Sequence, residues 1–204
     1  MRNCEVKRKI VEAATYLFSV NGYHKVSIND IAKLSKRAKG TIYYHFESKE
    51  SIFVDVVISE IELVKKSLLV IISDPSLSAD VKLKRFLLYR MHLLNEANSF
   101  KEALKNNFFK DFEQLRIVRC DFDQWMSEQY ISILKYGSDE DVFIKLNNPK
   151  TFVDLYVLMQ KGLEKPFFLE QKYDEYIFQY KEILTLLVNG VKNHDKKEKK
   201  GVLI

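Results

Sequence analysis

Turn-forming residues are scarce in this sequence. Its 204 residues include only 6 glycines and 3 prolines, too few for the frequent tight turns of a β-sandwich or a β-barrel. Hydrophobic residues make up 47% of the chain and charged residues 30%, a composition typical of a folded domain. The sequence therefore predicts an all-α globular protein.

Cysteines and long apolar stretches are scarce as well. Cys4 and Cys120 show no paired spacing, which argues against a disulfide or zinc framework and fits a reducing compartment. The longest uninterrupted apolar run, from Leu68 to Ile72, is far shorter than a membrane span, and no apolar segment follows the charged start. We therefore expect a cytoplasmic protein without a secretory signal or a membrane partner.

Enzyme signatures are missing too. The sequence has no Gly-x-Ser-x-Gly elbow, no Gly-x-Gly-x-x-Gly loop, no phosphate loop and no His-Glu-x-x-His metal motif. The 4 histidines are spread over the chain and leave little material for acid–base chemistry. The prediction is a protein that is not an enzyme and holds neither a cofactor nor a metal ion.

Positive charge is concentrated at the start of the chain. Residues 1–50 hold 10 Lys and Arg against 5 Asp and Glu, whereas residues 51–204 hold 23 of each. Residues 192–200 add five lysines, and this tail is predicted to be disordered, with a solubilising role or a nonspecific attraction to phosphates. A basic module suits a polyanionic partner, because binding to a polyphosphate releases counterions. On charge alone, a solvated basic face explains the module equally well.

The periodicity of the basic module predicts three helices. Apolar residues recur every three or four positions from Val6 to Phe18, and Ser27 and Asp30 have the spacing of a capping box that opens a second helix. A third helix carries Ile42 and Phe46 on one face and polar or aromatic residues on the other. Two short helices about three residues apart, with exposed donors on the second, are typical of a helix-turn-helix that reads the major groove.

Several motifs in this module form a recognisable set. They are Phe18, Gly22-Tyr23, Asp30-Ile31-Ala32, Lys39-Gly40-Thr41-Ile42-Tyr43-Tyr44-His45-Phe46 and Ser48-Lys49-Glu50. The set covers residues 6–53 almost without a gap and resembles the N-terminal domain of TetR-family transcriptional repressors, in particular the multidrug-binding branch. Two positions depart from the family pattern. Lys36 stands where glycine is usual, which predicts a non-glycine residue at positive φ, and Ala38 replaces a frequent serine cap.

The resemblance implies a set of DNA-contacting residues. These are Ser27, Arg37, Lys39, Gly40, Thr41, Tyr43, Tyr44, His45 and Lys49. Thr41 and Tyr44 are expected to face the groove, while Tyr43 and the two lysines are expected to contact phosphates. A glycine would normally weaken a helix, so Gly40 indicates a close approach of the backbone to a phosphate.

Amphipathic periodicity predicts five further helices after the long one that Ser48 opens and that ends at Asp74-Pro75. They cover residues 79–96, 100–110, 111–136, 149–165 and 172–192, with Asn148 as a cap and Pro166 as a stop. The predicted domains are a DNA-binding domain over 1–47, an effector-binding and dimerisation domain over 48–192, and the basic tail over 193–204. The long helix, about 39 Å at 1.5 Å per residue, would link the two domains.

Large apolar residues on these helices are candidates for lining an effector cavity. They are Phe108, Phe112, Trp125, Met126, Tyr156 and Met159. Plain core packing is the commoner role of such residues at helical spacing. The cavity would suit a lipophilic molecule, either a cation or a fatty-acyl compound, and a cation would require an acidic partner. The candidate partners are Glu102, Asp111, Glu113 and Asp123.

The last predicted helix is apolar over more of its circumference than one core face needs. A homodimer that uses Tyr180, Leu184 and Leu187 would bury the excess, and its two-fold symmetry would match palindromic operator DNA. Together with the resemblance, this predicts a transcriptional repressor that a small lipophilic effector releases from its operator. The alternatives are a ligand-independent or activating TetR-like regulator and, from another class, a ligand-sequestering or catalytic helical protein.

Overall fold

The computed structural model describes residues 2–194, and this part of the chain is helical and contains no β-strand. The predicted all-α class is confirmed. No helix in the described part combines the length and the apolar composition needed to cross a lipid bilayer. The helices are α1 (Arg2–Asn21), α2 (Ile28–Ser35), α3 (Lys39–His45), α4 (Lys49–Ser73), α5 (Ala79–Glu96), α6 (Asn98–Lys105), α7 (Phe108–Asp111), α8 (Glu113–Asp139), α9 (Pro149–Glu164) and α10 (Tyr173–Gly190), with a π-helical turn at Lys165–Leu169 after α9.

Most of the predicted helix bounds are confirmed. Helix α5 covers the predicted residues 79–96, and α4 ends directly before Asp74-Pro75. Helix α9 begins at Pro149, where Asn148 accepts a hydrogen bond from the Thr151 N–H at 3.1 Å and acts as the N-cap. The predicted tail, residues 193–204, lies outside the described residues from position 195 onward.

The prediction of a single helix over residues 100–110 is wrong. Helix α6 ends at Lys105, and Asn107 adopts the left-handed conformation with φ 58° before α7 begins. The side-chain amide of Asn106 donates to the Glu102 carbonyl at 2.9 Å. Asparagine side chains compete with the helical backbone for such carbonyls, which explains why the helix stops here.

Pro166 does not simply end the preceding helix. The chain continues beyond α9 as a wider π-helical turn, in which the Glu170 N–H donates to the Lys165 carbonyl at 3.1 Å. Proline has no N–H and cannot sit in a regular α-helix interior without breaking its hydrogen bonds. The wider turn accommodates it and leaves Phe167 and Phe168 buried.

The chain forms two compact units. Within the described residues, the first unit comprises 2–65 and 94–120, and the second comprises 66–93 and 121–194. Helices α4, α5 and α8 each contribute residues to both units. The domain boundaries predicted from the sequence (1–47, 48–192 and 193–204) stay a prediction.

An aromatic cluster lies in the first unit, and we call it the Tyr23 cluster. Tyr23 meets Phe53 and Phe108 with ring centroids 4.8 and 4.9 Å apart, and Phe18 meets Phe53 edge-on at 5.2 Å. Phe108 stacks on Phe112 at 4.4 Å. Edge-on and offset contacts of this kind stabilise aromatic pairs beyond the area that they bury. The cluster joins the loop after α1 to α4, α7 and the start of α8.

A buried polar cluster lies in the second unit, and we call it the Gln160 cluster. The side-chain carbonyl of Gln160 accepts from the Tyr130 hydroxyl at 2.6 Å. Its side-chain NH2 group donates to the Tyr180 and Tyr156 hydroxyls at 3.0 and 3.3 Å. Burial raises the pKa of Tyr130 well above its usual value, so this hydroxyl stays protonated and continues to donate. A buried amide needs such partners, because an unpaired polar group in the core is costly.

Candidate nucleic-acid interface

A capping box positions helix α2 at the start of the helix-turn-helix. The Ser27 hydroxyl accepts from the Asp30 N–H at 3.2 Å, and the Asp30 carboxylate accepts from the Ser27 N–H at 2.9 Å. The Ser27 hydroxyl also donates to the Asp30 carboxylate at 2.6 Å, and this bond, together with the one from the Ser27 N–H, lowers the pKa of Asp30. The predicted capping box is therefore confirmed, with Ser27 at the surface.

The turn between α2 and α3 contains a non-glycine residue at positive φ, as predicted from the sequence. Lys36 has φ 53° and ψ 45°, the left-handed conformation that usually favours glycine. The Arg37 N–H donates to the Ala32 carbonyl at 3.0 Å and closes the end of α2. Ala38 precedes α3 without a side-chain cap, as expected. Three residues separate the helices, in agreement with the predicted helix-turn-helix.

Helix α3 is anchored by one face and exposed on the other. Ile42 is completely buried, and Phe46 is buried directly after the helix. Tyr43 and Tyr44 are 49% and 76% exposed, and the Lys39 ammonium lies over the Tyr43 ring, 5.8 Å from its centroid. This surface carries hydroxyls, aromatic faces and a cation, all of which can contact phosphates or bases.

Four of the predicted DNA-contacting residues share a shallow groove of about 540 Å³. They are Gly40, Thr41, Tyr44 and His45. Asn3 and Val6 of α1 complete the lining. The sequence did not indicate this contribution, because the helical periodicity placed Val6 on the core face and Asn3 precedes that pattern. Nothing lies within 4 Å of the position that a Gly40 Cβ would take, so the chain itself does not require glycine there.

A second cleft, of about 720 Å³, contains Arg37. Lys9 and Tyr16 of α1 line it together with Lys36 and Arg37 from the turn. The Nε of Arg37 is buried and has no hydrogen-bond partner among the described residues. Its cations, Lys9, Lys36 and Arg37, outnumber the carboxylate Glu12, so the cleft extends the cationic surface along the turn. Lys9 and Tyr16 were not among the DNA contacts predicted from the sequence.

Lys49 is engaged inside the domain. Its ammonium donates to the Tyr23 and Val26 carbonyls, both at 3.0 Å, and lies 4.3 Å from the centroid of the Tyr23 ring. Burial lowers the pKa of this lysine. In the free protein, Lys49 therefore braces the loop between α1 and α2, and its predicted contact with a phosphate stays a prediction.

The sequence of this module matches a known family. The profile described as bacterial regulatory proteins, tetR family, matches residues 10–56. Those residues form a TetR-family N-terminal domain. The match includes the helix-turn-helix and the start of α4, which are the elements whose geometry is described above.

Relatives of the TetR-type domain include two regulators from Staphylococcus aureus. The transcriptional regulator QacR is 42% identical over 52 residues, which are 26% of this chain and 28% of QacR. The negative regulator of the biofilm operon, IcaR, is 46% identical over 48 residues, which are 24% of this chain and 26% of IcaR. The chain thus spans about a quarter of the length of the curated relatives that it matches.

Beyond the TetR-type domain, the likeness to solved structures extends over nearly the whole chain. A transcriptional regulator from Saccharomonospora viridis, crystallised in complex with choline, has a TM-score of 0.72 at 20% identity. The alignment covers 94% of this chain and 97% of the other. At this identity the comparison establishes the fold, a TetR-like arrangement with an N-terminal helix-turn-helix and a larger helical part.

Helix α6 holds the loop that precedes the helix-turn-helix of the TetR-type domain. The Glu102 carboxylate accepts from the Tyr23 N–H at 3.2 Å, and the Asn106 side chain lies 3.2 Å from the His24 ring nitrogen. Glu60 of α4 accepts from the Ser99 and Phe100 N–H groups at 3.0 and 2.9 Å and caps α6. Burial raises the pKa of Glu60. The first unit thus joins α6 to the TetR-type domain through hydrogen bonds as well as the Tyr23 cluster.

The predicted effector-binding residues are divided between the two units. Phe108 and Phe112 belong to the Tyr23 cluster of the first unit. In the second unit, Met126 is buried, Tyr156 belongs to the Gln160 cluster and Trp125 stacks on Phe122 with ring centroids 6.4 Å apart. Met159 is 61% exposed.

The candidate acidic partners have other engagements or lie at the surface. Glu102 binds the Tyr23 N–H, Asp123 pairs with Lys161 at 2.7 Å, and Glu113 pairs with Arg116. Asp111 is exposed at the end of α7. None of these contacts tests a role for the four carboxylates in effector binding, which stays a prediction.

The predicted dimer residues line one groove between α9 and α10, of about 550 Å³. Tyr180 and Leu184 are buried within the single chain, whereas Leu187 is partly exposed. The large exposed aliphatic residues of these two helices are Leu155, Leu158, Met159, Ile183 and Leu186. The outward apolar surface of α9 and α10 therefore comes mainly from neighbours of the predicted residues.

Proposed function

We propose that this protein is a dimeric DNA-binding transcriptional repressor, released from its operator by a small lipophilic effector. The observation that carries the proposal is the exposed face of α3 in the TetR-type domain. Ile42 anchors the helix, while Tyr43 and Tyr44 project away from the core. Exposed tyrosine side chains beside the Lys39 ammonium can donate hydrogen bonds and attract negative charge, which favours a polyanion as the partner.

Recognition divides between bases and phosphates. Thr41 and Tyr44 line the groove beside α3 and would face base edges in the major groove. Lys36, Lys39 and Arg37 lie at or beside the turn and would contact the flanking phosphates. Phosphate contacts would fix the register of the protein on DNA, and the groove residues would supply the sequence preference.

The sign of the regulation is repression. This part of the proposal is supported by the likeness of the TetR-type domain to IcaR, which is named as a negative regulator. A protein bound over a promoter excludes the transcription machinery without further catalytic groups. Such a role requires only tight, sequence-specific binding and a means of release.

Dimerisation is supported by the outward apolar surface of α9 and α10. Leu158 and Leu186 are 65% and 72% exposed in one chain, and large aliphatic side chains exposed on two neighbouring helices are unfavourable in water. A second copy packed on it through two-fold symmetry would form a four-helix bundle. The two recognition helices would then read half-sites about 34–36 Å apart, or a multiple of that distance.

Release by an effector is supported by the composition of the second unit. An aromatic series is formed by Phe86, Trp125 and Tyr130. The centroid of the Phe86 ring lies 5.0 Å from that of Tyr130 and 6.4 Å from that of Trp125. Aromatic faces attract both lipophilic molecules and quaternary ammonium ions. The regulator from Saccharomonospora viridis, which has a similar fold, was crystallised with choline, an ion of that kind. A lipophilic cation is thus the first class of effector to test.

Coupling between effector and DNA would run through elements described above. Helices α4, α5 and α8 contribute residues to both units. Helix α6 binds the loop before the helix-turn-helix through Glu102 and Asn106. An effector that shifted these helices would change the orientation of α3. A hundredfold loss of operator affinity requires about 2.7 kcal/mol of preference for the released state.

A binding experiment tests the DNA-binding part of the proposal. Duplexes selected from a random pool, and the DNA upstream of the gene itself, are titrated with protein at several salt concentrations. We expect a palindromic preferred site and a steep fall of affinity with salt. A protein that binds no duplex more tightly than random DNA would contradict the proposal.

A second experiment tests release. Lipophilic cations and fatty-acyl compounds are titrated against the fluorescence of Trp125, the only tryptophan, and against operator binding. An effector should change both signals, while a Tyr44→Ala variant should keep the fluorescence response and lose DNA affinity. If no compound of either class changes operator binding, the ligand-independent or activating regulator becomes the better proposal.

A further inference from the structure

A groove of about 610 Å³ in the second unit lies outside every site discussed so far. It is formed by α5 and α10, with Ile71 of α4 at its margin. Its volume falls within the range of roughly 300–1,000 Å³ that small-molecule sites usually have. None of the predicted effector or dimer residues lines it.

Two contacts fix the relative direction of α5 and α10. At one end, the Tyr173 hydroxyl lies 3.4 Å from Nδ1 of His92. At the other end, Lys192, just after α10, pairs with Asp80 in the first turn of α5 at 2.6 Å. The two helices therefore run antiparallel along the groove.

The antiparallel arrangement brings two cations to the same end. Arg85, Tyr89 and His92 follow one another along α5 at helical spacing, as do Tyr173, Ile177 and Lys181 along α10. Since His92 meets Tyr173, Arg85 and Lys181 lie together at the opposite end of the groove. Seven residues of helix place them about 10 Å from the aromatic end.

These two cations have no anionic partner in the described part of the chain. No ion pair involving Arg85 or Lys181 is found there, and no acidic side chain lines the groove. The charge of Arg85 acts on the carboxylate of Asp74, which already accepts hydrogen bonds from the Ser76 hydroxyl and N–H at 2.6 and 2.9 Å. These hydrogen bonds are the main cause of the lowered pKa of Asp74, to which the charges of Lys82 and Arg85 add. Two like charges at one end of a groove favour an anion between them.

The rest of the groove is apolar and aromatic. Leu88 and Ile177 lie between the two ends, and Phe178 is 66% exposed beside them. The Tyr89 ring stacks on His92 with centroids 5.7 Å apart and forms a flat wall. An apolar body packed on Leu88, Ile177 and Phe178 would displace water from apolar surface, which is favourable.

We propose that the groove between α5 and α10 binds a small amphipathic anion. Its carboxylate, sulfonate or phosphate head would lie between Arg85 and Lys181, and an apolar tail about 10 Å long would extend towards Tyr89 and Tyr173. The proposal does not depend on DNA binding. It concerns a site lined by other residues than those proposed for the effector.

The test is a calorimetric titration of the full-length protein, without DNA, with three probes that share one alkyl chain. They are decanoate, its neutral methyl ester and decyltrimethylammonium. We expect decanoate to bind one site per chain at least tenfold more tightly than the cationic probe, and more weakly as salt rises. Equal affinity for all three probes, or no binding by decanoate, would overturn the proposal.

Charge-neutral variants locate the site. Arg85→Gln combined with Lys181→Gln should weaken decanoate at least tenfold and leave the affinity of the methyl ester unchanged. The matched control, Lys84→Gln with Lys150→Gln, removes two charges outside the groove and should bind decanoate like the wild type. A double groove variant that binds decanoate as tightly as the wild type would place the anion elsewhere. A Tyr44→Ala variant, which should lose DNA affinity, should bind decanoate like the wild type. A failure of the proposed DNA binding can therefore be distinguished from a failure of the proposed anion site.

Discussion

Helix α3 and the pair α9–α10 both expose large side chains, but of different chemistry. The most exposed large hydrophobic residue of α3 is Tyr44, which carries a hydroxyl and follows Lys39 by five positions. The most exposed large hydrophobic residue of α9 and α10 is Leu186, which is aliphatic. The exposed fractions of the two residues, 76% and 72%, are comparable, so exposure alone does not identify the partner. The exposed functional groups indicate the kind of partner, because hydroxyls and cations suit phosphates and bases, whereas aliphatic surface suits another protein.

Charge separates the same two regions. The positive excess of the chain lies in residues 1–50, while residues 51–204 are balanced. A balanced, aliphatic surface can pack against its own copy without repulsion. A basic surface cannot, and gains instead from the release of counterions when it meets DNA.

Charged substitutions at the exposed leucines of α9 and α10 should have the strongest effect. Leu158→Asp combined with Leu186→Asp places charges in the proposed dimer interface. We expect the chain to sediment as a monomer and to lose operator affinity by more than about a hundredfold, because the half-sites are no longer read together. Leu63→Asp, at an equally exposed leucine of α4, is the control and should leave a dimer. A double variant that remains dimeric would refute the proposed interface.

A smaller effect is expected when the chemistry of α3 is changed. Tyr44→Ala should cost about 1–3 kcal/mol on the preferred site and relax its sequence preference. Lys39→Ala should instead weaken all sequences about equally and lower the salt slope by about 1. Fluorescence anisotropy on preferred and random duplexes distinguishes the two results. Wild-type affinity in a variant with alanine at both Tyr43 and Tyr44 would rule out the assignment.

Substitutions at two helical glycines should separate an effect on DNA binding from an effect on stability. A Cβ at Gly40 would meet open space, whereas one at Gly137 would overlap the Phe143 ring and approach the Ala79 Cβ to 2.9 Å. Gly40→Ala should keep or slightly raise stability and weaken DNA binding, since the added methyl group keeps a phosphate at a distance. Gly137→Ala should lower the free energy of unfolding by about 1–3 kcal/mol.

Denaturant unfolding and anisotropy, measured on both glycine variants, separate these outcomes. The two substitutions add the same methyl group, so each serves as the control for the other. A Gly40→Ala protein with unchanged affinity would remove the proposed close approach to DNA.

The smallest effect is expected at Lys49, where two interpretations differ. Lys49→Gln removes an ammonium that donates to two carbonyls and should lower the free energy of unfolding by about 1–2 kcal/mol. Because this lysine is engaged in the free protein, we expect the salt slope of DNA binding to stay unchanged. A slope lowered by about 1, with normal stability, would instead support the phosphate contact predicted from the sequence.

The local features of the chain could be predicted from the sequence. The capping box of Ser27 and Asp30, the left-handed Lys36 and the extent of α5 depend on residues within a few positions of one another. Helical spacing and helix capping involve residues only a few positions apart, so both can be recognised in the sequence. The exposed face of α3 was predictable for the same reason, since Ile42 and Phe46 mark its buried side.

Distant partners could not be predicted in this way. The sequence does not show that Lys49 donates to Tyr23 and Val26, or that Arg90 forms a buried ion pair with Glu164 at 2.7 Å. Nor does it show the alignment of α5 and α10 that brings Arg85 and Lys181 to one end of a groove. Each of these depends on how helices pack, and helix packing is set by many side chains at once.

Composition and periodicity were sufficient to predict the helical class, the basic character of the first module and the residues that α3 exposes. Helix packing, which the sequence does not show, sets which apolar residues of α10 face inwards, as Tyr180 and Leu184 do, and which remain at the surface, as Leu186 does. The physical reason is that periodicity defines the faces of a helix, whereas burial depends on what packs against each face.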